Sequence, residues 1–188
     1  MVKKLISLLL AVSLILGVII IPDSNTVQAE SKAAKAKKEY KKILRSAGSS
    51  AEFWCYDINH DGVLELLLGD GGTRLYYYGK NKIKKSDFSY AFACYKKGGV
   101  FCSYSASSGY ETEKYYIISN GKVKVIASKT DDSGTGSASA EGPQYYIAGK
   151  KVSEDKFNSY IKAKTRNSKT IEPKWHTATK ANINRYVK

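Results

Sequence analysis

The chain has 188 residues and carries 31 Lys and Arg against 17 Asp and Glu, a formal net charge of +14. That length suits one domain with an adequate core, and the basic excess favours anionic partners such as cell-wall polymers, acidic lipid surfaces or nucleic acid. The lysines are spread along the whole sequence, so simple solubility competes as their explanation.

Lys3 and Lys4 precede an apolar run over residues 5–21, followed by Pro22 and the small-residue pattern Val27-Gln28-Ala29. This order predicts a secretory signal peptide over 1–29, cleaved before Glu30, and a single secreted domain over 30–188. Export implies an extracellular or cell-wall location and argues against a genetic role in nucleic-acid binding. Membrane attachment follows only if the apolar segment stays uncleaved. No second long apolar run occurs downstream. Removing 1–29 takes away Lys3, Lys4 and Asp23, so 29 basic and 16 acidic groups remain and the charge stays near +13.

Residues 31–47 read as a helix, with Ala33, Ala36, Tyr40, Ile43, Leu44 and Ala47 on one stripe and lysines on the opposite face. Gly48 is a natural stop. The helix is expected to pack across a sheet. A basic helix lying on a membrane is the rival, weakened by an apolar face that is mostly alanine.

The next stretch, Asp57-Ile58-Asn59-His60-Asp61-Gly62-Val63-Leu64-Glu65, lies between apolar runs at 53–56 and 63–68. Side-chain oxygens recur at its first, third, fifth and ninth places, with glycine sixth. Such spacing wraps a hard cation: Asp57, Asn59 and Asp61 turn inward, the Val63 carbonyl adds a main-chain oxygen, and Glu65 closes the shell. His60, between ligands, is expected to point outward. An EF-hand would need a carboxylate at the twelfth place, which is Leu68, and helices on both sides, whereas these flanks read as strands. A metal-free turn is the plainer alternative, since Asp-Gly between hydrophobic runs is a hairpin signal by itself and Asp and Asn side chains bond nearby backbone. It accounts for Asp61-Gly62 but does not require Asp57, Asn59 and Glu65. Three carboxylates within nine residues repel one another unless a cation sits among them.

On these residues, 53–69 resembles the strand-loop-strand calcium loop of FG-GAP and VCBS-type repeats, in which the closing acid stands ninth. It is also similar to the DxNxDGxxELLL segment of small secreted proteins of Gram-positive bacteria, mostly without assigned function. Propellers of the repeat family carry the loop once per blade, and here it occurs once. The resemblance implies a calcium ion held by Asp57, Asn59, Asp61, Val63 and Glu65.

Gly69-Asp70-Gly71-Gly72 reads as a turn, because no Gly-Lys-Ser/Thr follows to make a phosphate cradle. Three similar units come next. Each is a tyrosine-rich strand, a tight turn and a basic strand: Tyr76-Tyr77-Tyr78 before Gly79-Lys80-Asn81-Lys82, Tyr115-Tyr116 before Asn120-Gly121-Lys122, and Tyr145-Tyr146 before Gly149-Lys150-Lys151. Adjacent strand positions point to opposite faces, so one ring of each pair is expected in the core and the other in water. Cys94 and Cys102 fall on a hairpin whose three-residue loop, 97–99, would set the two thiols face to face. Both a disulfide and buried free thiols fit that reading, the latter better. Residues 129–144 read as a long surface loop, 153–164 as a helix capped by Ser153, 165–179 as irregular, and 181–186 as a last helical turn.

Catalytic patterns are scarce. No GxSxG, HExxH or CxxC occurs; a Cys55–His176 pair would depend on the fold, and Glu111 and Glu113 are adequately explained as one solvated strand face. The expectation is an α+β domain, with an N-terminal helix on a mainly antiparallel sheet of six to eight strands and short C-terminal helices. Its role is read as non-enzymatic calcium binding with a structural ion. The alternative is a cell-envelope or anionic-polymer adhesion module using the lysine excess and the tyrosine-rich hairpins.

Overall fold

The computed structural model describes residues 24–69, 72–88, 91–107, 110–132 and 142–188, with side chains from Lys32 onward. Helix α1 spans Ser24–Ala47, seven residues longer at its start than the expected 31–47. No Gly or Pro interrupts that segment, so nothing local stops the helix earlier. The expected signal segment lies outside the described residues except for 24–29, which form the first turns of α1. Ala36, Tyr40 and Leu44 are buried, whereas Ala47 is exposed. No helix among the described residues is long and apolar enough to cross a membrane.

The strands form two antiparallel sheets rather than one of six to eight strands. The first contains β1 (Glu52–Tyr56), β2 (Glu65–Gly69), β3 (Thr73–Gly79) and β4 (Lys82–Phe88). The second contains β5 (Ala91–Tyr95), β6 (Val100–Ser107), β7 (Tyr110–Ser119), β8 (Lys122–Asp131), β9 (Gln144–Ile147) and β10 (Lys150–Val152). Two short strands complete them. β11 (Thr170–Ile171) pairs with β5, and β12 (His176–Thr177) pairs with β1. The orders are β12-β1-β2-β3-β4 and β10-β9-β8-β7-β6-β5-β11. Helix α2 (Glu154–Lys164) follows β10, and α3 (Lys180–Tyr186) ends the described chain.

Alternation along the strands divides the side chains among three cores. Phe53, Leu66 and Leu68 join Tyr40 and Leu44 of α1 and Ile183 of α3 on the outer face of the first sheet. Trp54, Leu67, Leu75 and Tyr77 meet Phe92, Cys94, Phe101 and Tyr116 between the sheets. Val100, Tyr115 and Ala127 lie under Phe157 and Ile161 of α2 on the outer face of the second. The layers therefore run helix, sheet, sheet, helix, an α+β architecture with an apolar core against both faces of each sheet.

That layering changes the fate of the tyrosine pairs. Tyr115 and Tyr116 do point to opposite faces, yet both are buried, because Tyr116 enters the core between the sheets and Tyr115 the core beneath α2. A bulge between them pairs Tyr115 with Ala127 and Tyr116 with Val125. All three tyrosine units form two-residue hairpins, closed by Gly79–Lys82, Ser119–Lys122 and Ile147–Lys150. Both central residues have positive φ in each: Lys80 and Asn81, Asn120 and Gly121, Ala148 and Gly149. This is the I′ geometry that matches strand twist.

The β5–β6 connection has four residues, 96–99, not three, so Cys94 pairs with Phe101 and Cys102 with Ala93. The one-residue difference sends the two thiols to opposite faces of the sheet, and all three cysteines are free. The expected loop at 129–144 is shorter than the sequence suggests. Lys129, Thr130 and Asp131 continue β8 against β7, Gln144 opens β9, and 133–141 lie outside the described residues. Ser153 caps α2 as expected, its side chain accepting from the Lys156 backbone N–H.

Candidate metal centre

The loop at 57–64 joins β1 to β2, whose register runs from Glu52–Gly69 to Tyr56–Glu65. Two apolar residues anchor it on opposite sides of the sheet: Ile58 is buried between the sheets and Val63 in the core beneath α1. With both anchored, the intervening residues must turn tightly. His60 (φ 59°) and Gly62 (φ 82°) take left-handed backbone, which glycine adopts freely and histidine only at some cost. His60 is exposed, in keeping with its expected outward position.

Within this turn the predicted ligands are bound together by short hydrogen bonds. Asp57 Oδ1 accepts from the Asp61 N–H at 3.1 Å and Asp57 Oδ2 from the Gly62 N–H at 3.0 Å. Asn59 Oδ1 accepts from the same Asp61 N–H at 3.0 Å, and Asn59 Nδ2 donates to Asp61 Oδ2 at 3.3 Å. Asp61 Oδ1 accepts from the Val63 N–H at 2.9 Å. These are the local side-chain to backbone bonds expected of Asp and Asn in a turn. Each carboxylate oxygen has two lone pairs, so accepting one N–H leaves capacity for a cation.

Glu65 differs from the others. It is 1% exposed, at the first position of β2, and Oε2 accepts from the Ile58 N–H at 2.8 Å. Burial pushes its carboxyl up to about 8; the nearby Asp61 and Asp57 add to the rise, while the backbone N–H groups of Ile58 and Asn59 oppose it. Among the described residues no Lys or Arg forms an ion pair with Glu65. Those two N–H groups do not outweigh burial, so added positive charge is what would hold this carboxylate ionised at neutral pH.

The donor set thus consists of hard oxygens from one segment, the chemistry calcium selects. The Val63 side chain is buried. Among the described residues no three His, Cys, Asp or Glu side chains are already drawn into a metal-binding group. The loop supplies three carboxylates, and its remaining donors are the Asn59 amide and a main-chain oxygen.

Among the described residues Cys55 and His176 share no hydrogen bond. His176 stacks on Tyr186 at 3.6 Å between ring centroids and meets Phe53 edge-on. Burial pushes the Cys55 thiol up to about 12, so it stays protonated. Sequence reasoning overlooked a basic cleft beside the loop, lined by Asn59, Lys96, Lys97, Gly98, Gly99 and Arg166, together with His60. Lys97-Gly98-Gly99 was legible only as a turn, and Arg166 comes from the end of α2, seventy residues away in sequence from Lys96. No protein-family description matches the chain, and neither the curated proteins nor the solved structures contain a match.

Proposed function

We propose that residues 57–65 bind calcium in a structural role, in a secreted, non-enzymatic domain. The observation that carries this reading is Glu65: a carboxylate buried beside Asp57 and Asp61 with no cationic side chain paired to it among the described residues. Asp57, Asn59 and Asp61 would hold the ion from the exposed side of the loop, the Val63 carbonyl would add a neutral oxygen, and Glu65 would close the shell from within. The ion would offset the mutual repulsion of the three carboxylates and fasten the β1–β2 connection. Export rests on the basic, apolar and small-residue order of 1–29.

Calcium at about ten times its dissociation constant contributes about 1.4 kcal/mol, which for a domain of this size raises the melting temperature by about 3–6 °C. Differential scanning calorimetry with calcium and with a chelator reads that shift. Asp61→Ala and Glu65→Gln are each expected to abolish it, although glutamine retains an acceptor for the Ile58 N–H. A melting temperature of the unsubstituted protein indifferent to calcium refutes the reading. A second reading, attachment to an anionic polymer of the cell envelope, is favoured by the basic cleft.

A further inference from the structure

We infer that the cleft between the β5–β6 turn, the end of α2 and the 57–65 loop is a binding site for the phosphoryl group of a phosphate ester or a polyphosphate, strengthened when the neighbouring loop holds a cation. The cleft encloses about 540 Å³, room for a phosphate with the sugar or polyol it esterifies. Lys96, Lys97 and Arg166 line it, no carboxylate does, and none of the three forms an ion pair among the described residues. Three cations around one concavity suit a doubly charged tetrahedral anion, to which lysine offers point charges and arginine a fork of donors.

The walls of the cleft are fixed by backbone contacts. The Lys96 N–H donates to the Lys169 carbonyl at 3.1 Å, and the Lys97 N–H to Ser168 Oγ at 3.1 Å. Ser168 Oγ in turn donates to the Thr165 carbonyl at 2.8 Å. A Cβ at Gly99 would stand 3.3 Å from the Asn59 Cα, so the turn also rests against the candidate metal loop. The basic turn is thereby held against two separate parts of the chain, and its charges are brought together by tertiary structure. A competing explanation is that these cations offset the negative end of the α2 dipole, which would require no ligand.

Asn59 belongs to both the loop and the cleft. The carboxylates of an ion-free loop repel an anion next door, and a bound divalent cation cancels most of that charge. Anion and cation binding must then favour each other by the same factor. The anion site stands without the calcium reading, and the coupling rests on it.

The test is calorimetric titration of the purified protein at low salt with glycerol phosphate and, separately, with a polyphosphate chain, each with a chelator present. Lys97→Gln with Arg166→Asn is expected to weaken binding about tenfold or more, the usual worth of one or two charge-assisted contacts. Asparagine is chosen at 166 because Arg166 has φ 50°, which Asn tolerates. Lys122→Gln with Lys124→Gln, two exposed lysines of β8, removes two charges elsewhere and is expected to leave affinity unchanged. Circular dichroism melts confirm that both variants fold. A steeper salt dependence and tighter binding for polyphosphate identify a polymer as the source, and equal affinity identifies a small ester; either supports the site. No binding, or equal loss in both double variants, overturns it in favour of diffuse charge. Calcium added to the glycerol phosphate titration is expected to tighten binding several-fold. Unchanged affinity in a protein whose melting temperature does respond to calcium refutes the coupling.

Discussion

Three free thiols in a chain with an export-like start set up a direct test at the level of single residues. Burial pushes Cys55 and Cys102 up to about 12 and Cys94 higher still, with nearby carboxylates adding to the rise at the last two. For an acid whose folded pKa exceeds its unfolded value, the stabilising contribution is complete below the unfolded value near 9 and is lost as pH rises toward the folded value. Above pH 9 the unfolded chain sheds protons that the folded one retains. Stability is therefore expected to fall with each added pH unit by up to about 1.4 kcal/mol per thiol, as measured by denaturant unfolding between pH 8 and 11. At pH 8 a thiol-specific reagent should label the native protein about a thousandfold more slowly than the denatured one. Rapid labelling of native Cys94, the fully buried thiol, or a disulfide between Cys94 and Cys102 after air oxidation of the folded protein, would contradict this packing.

At the scale of the element, the tightest joint is where the β5–β6 turn meets the end of α2. Gly98 has φ 81°, and a Cβ there would lie 2.0 Å from the Lys164 carbonyl oxygen. Gly149, in the β9–β10 turn, has φ 78° with nothing within 4 Å of an added Cβ. Gly149→Ala is expected to cost about 1–2 kcal/mol from backbone strain alone. Gly98→Ala adds a clash that the turn and helix must separate to relieve, for about 2–4 kcal/mol in all. Urea unfolding midpoints at constant m-value give both, and equal costs would mean that the turn does not bear on the helix. The elements themselves differed in how far they could be read in advance. Asn120-Gly121 and the tyrosine runs declared their hairpins because turn chemistry and alternation act locally. The spacing of oxygen-bearing side chains at 57–65 was equally local, and the structure ties Asp57, Asn59 and Asp61 into one bonded turn. What escaped was set at a distance: β11 and β12 are two residues each and exist only through their partners. The β5–β6 loop is one residue longer than its Lys97-Gly98-Gly99 signature implies, because Lys96 is tied to Lys169 rather than to β6.

For the molecule as a whole, the decisive feature is that each sheet carries an apolar core on both faces. Alternating strands look half-solvated in sequence, so an inner face was apparent and the second covering was not. The aromatic side chains of Phe88, Phe92, Phe101 and Tyr116 meet between the sheets at centroid distances of 5.1–5.7 Å, and such contacts add about 0.5–1.5 kcal/mol each beyond burial. With Trp54 in this central core and Trp175 packed against it, tryptophan fluorescence reports on the sheet-to-sheet interface while far-UV circular dichroism reports on the elements. The two signals are expected to trace one coincident unfolding transition; separated midpoints would mean that the sheets are independent units. The tail residues at 170–177 border both sheets, one strand on each, and they follow every other strand in the chain. During translation β1 and β5 must consequently emerge with bare edges and stay so until this tail leaves the ribosome, an interval in which each could zip onto a neighbouring nascent chain and in which a holding chaperone would have most to protect.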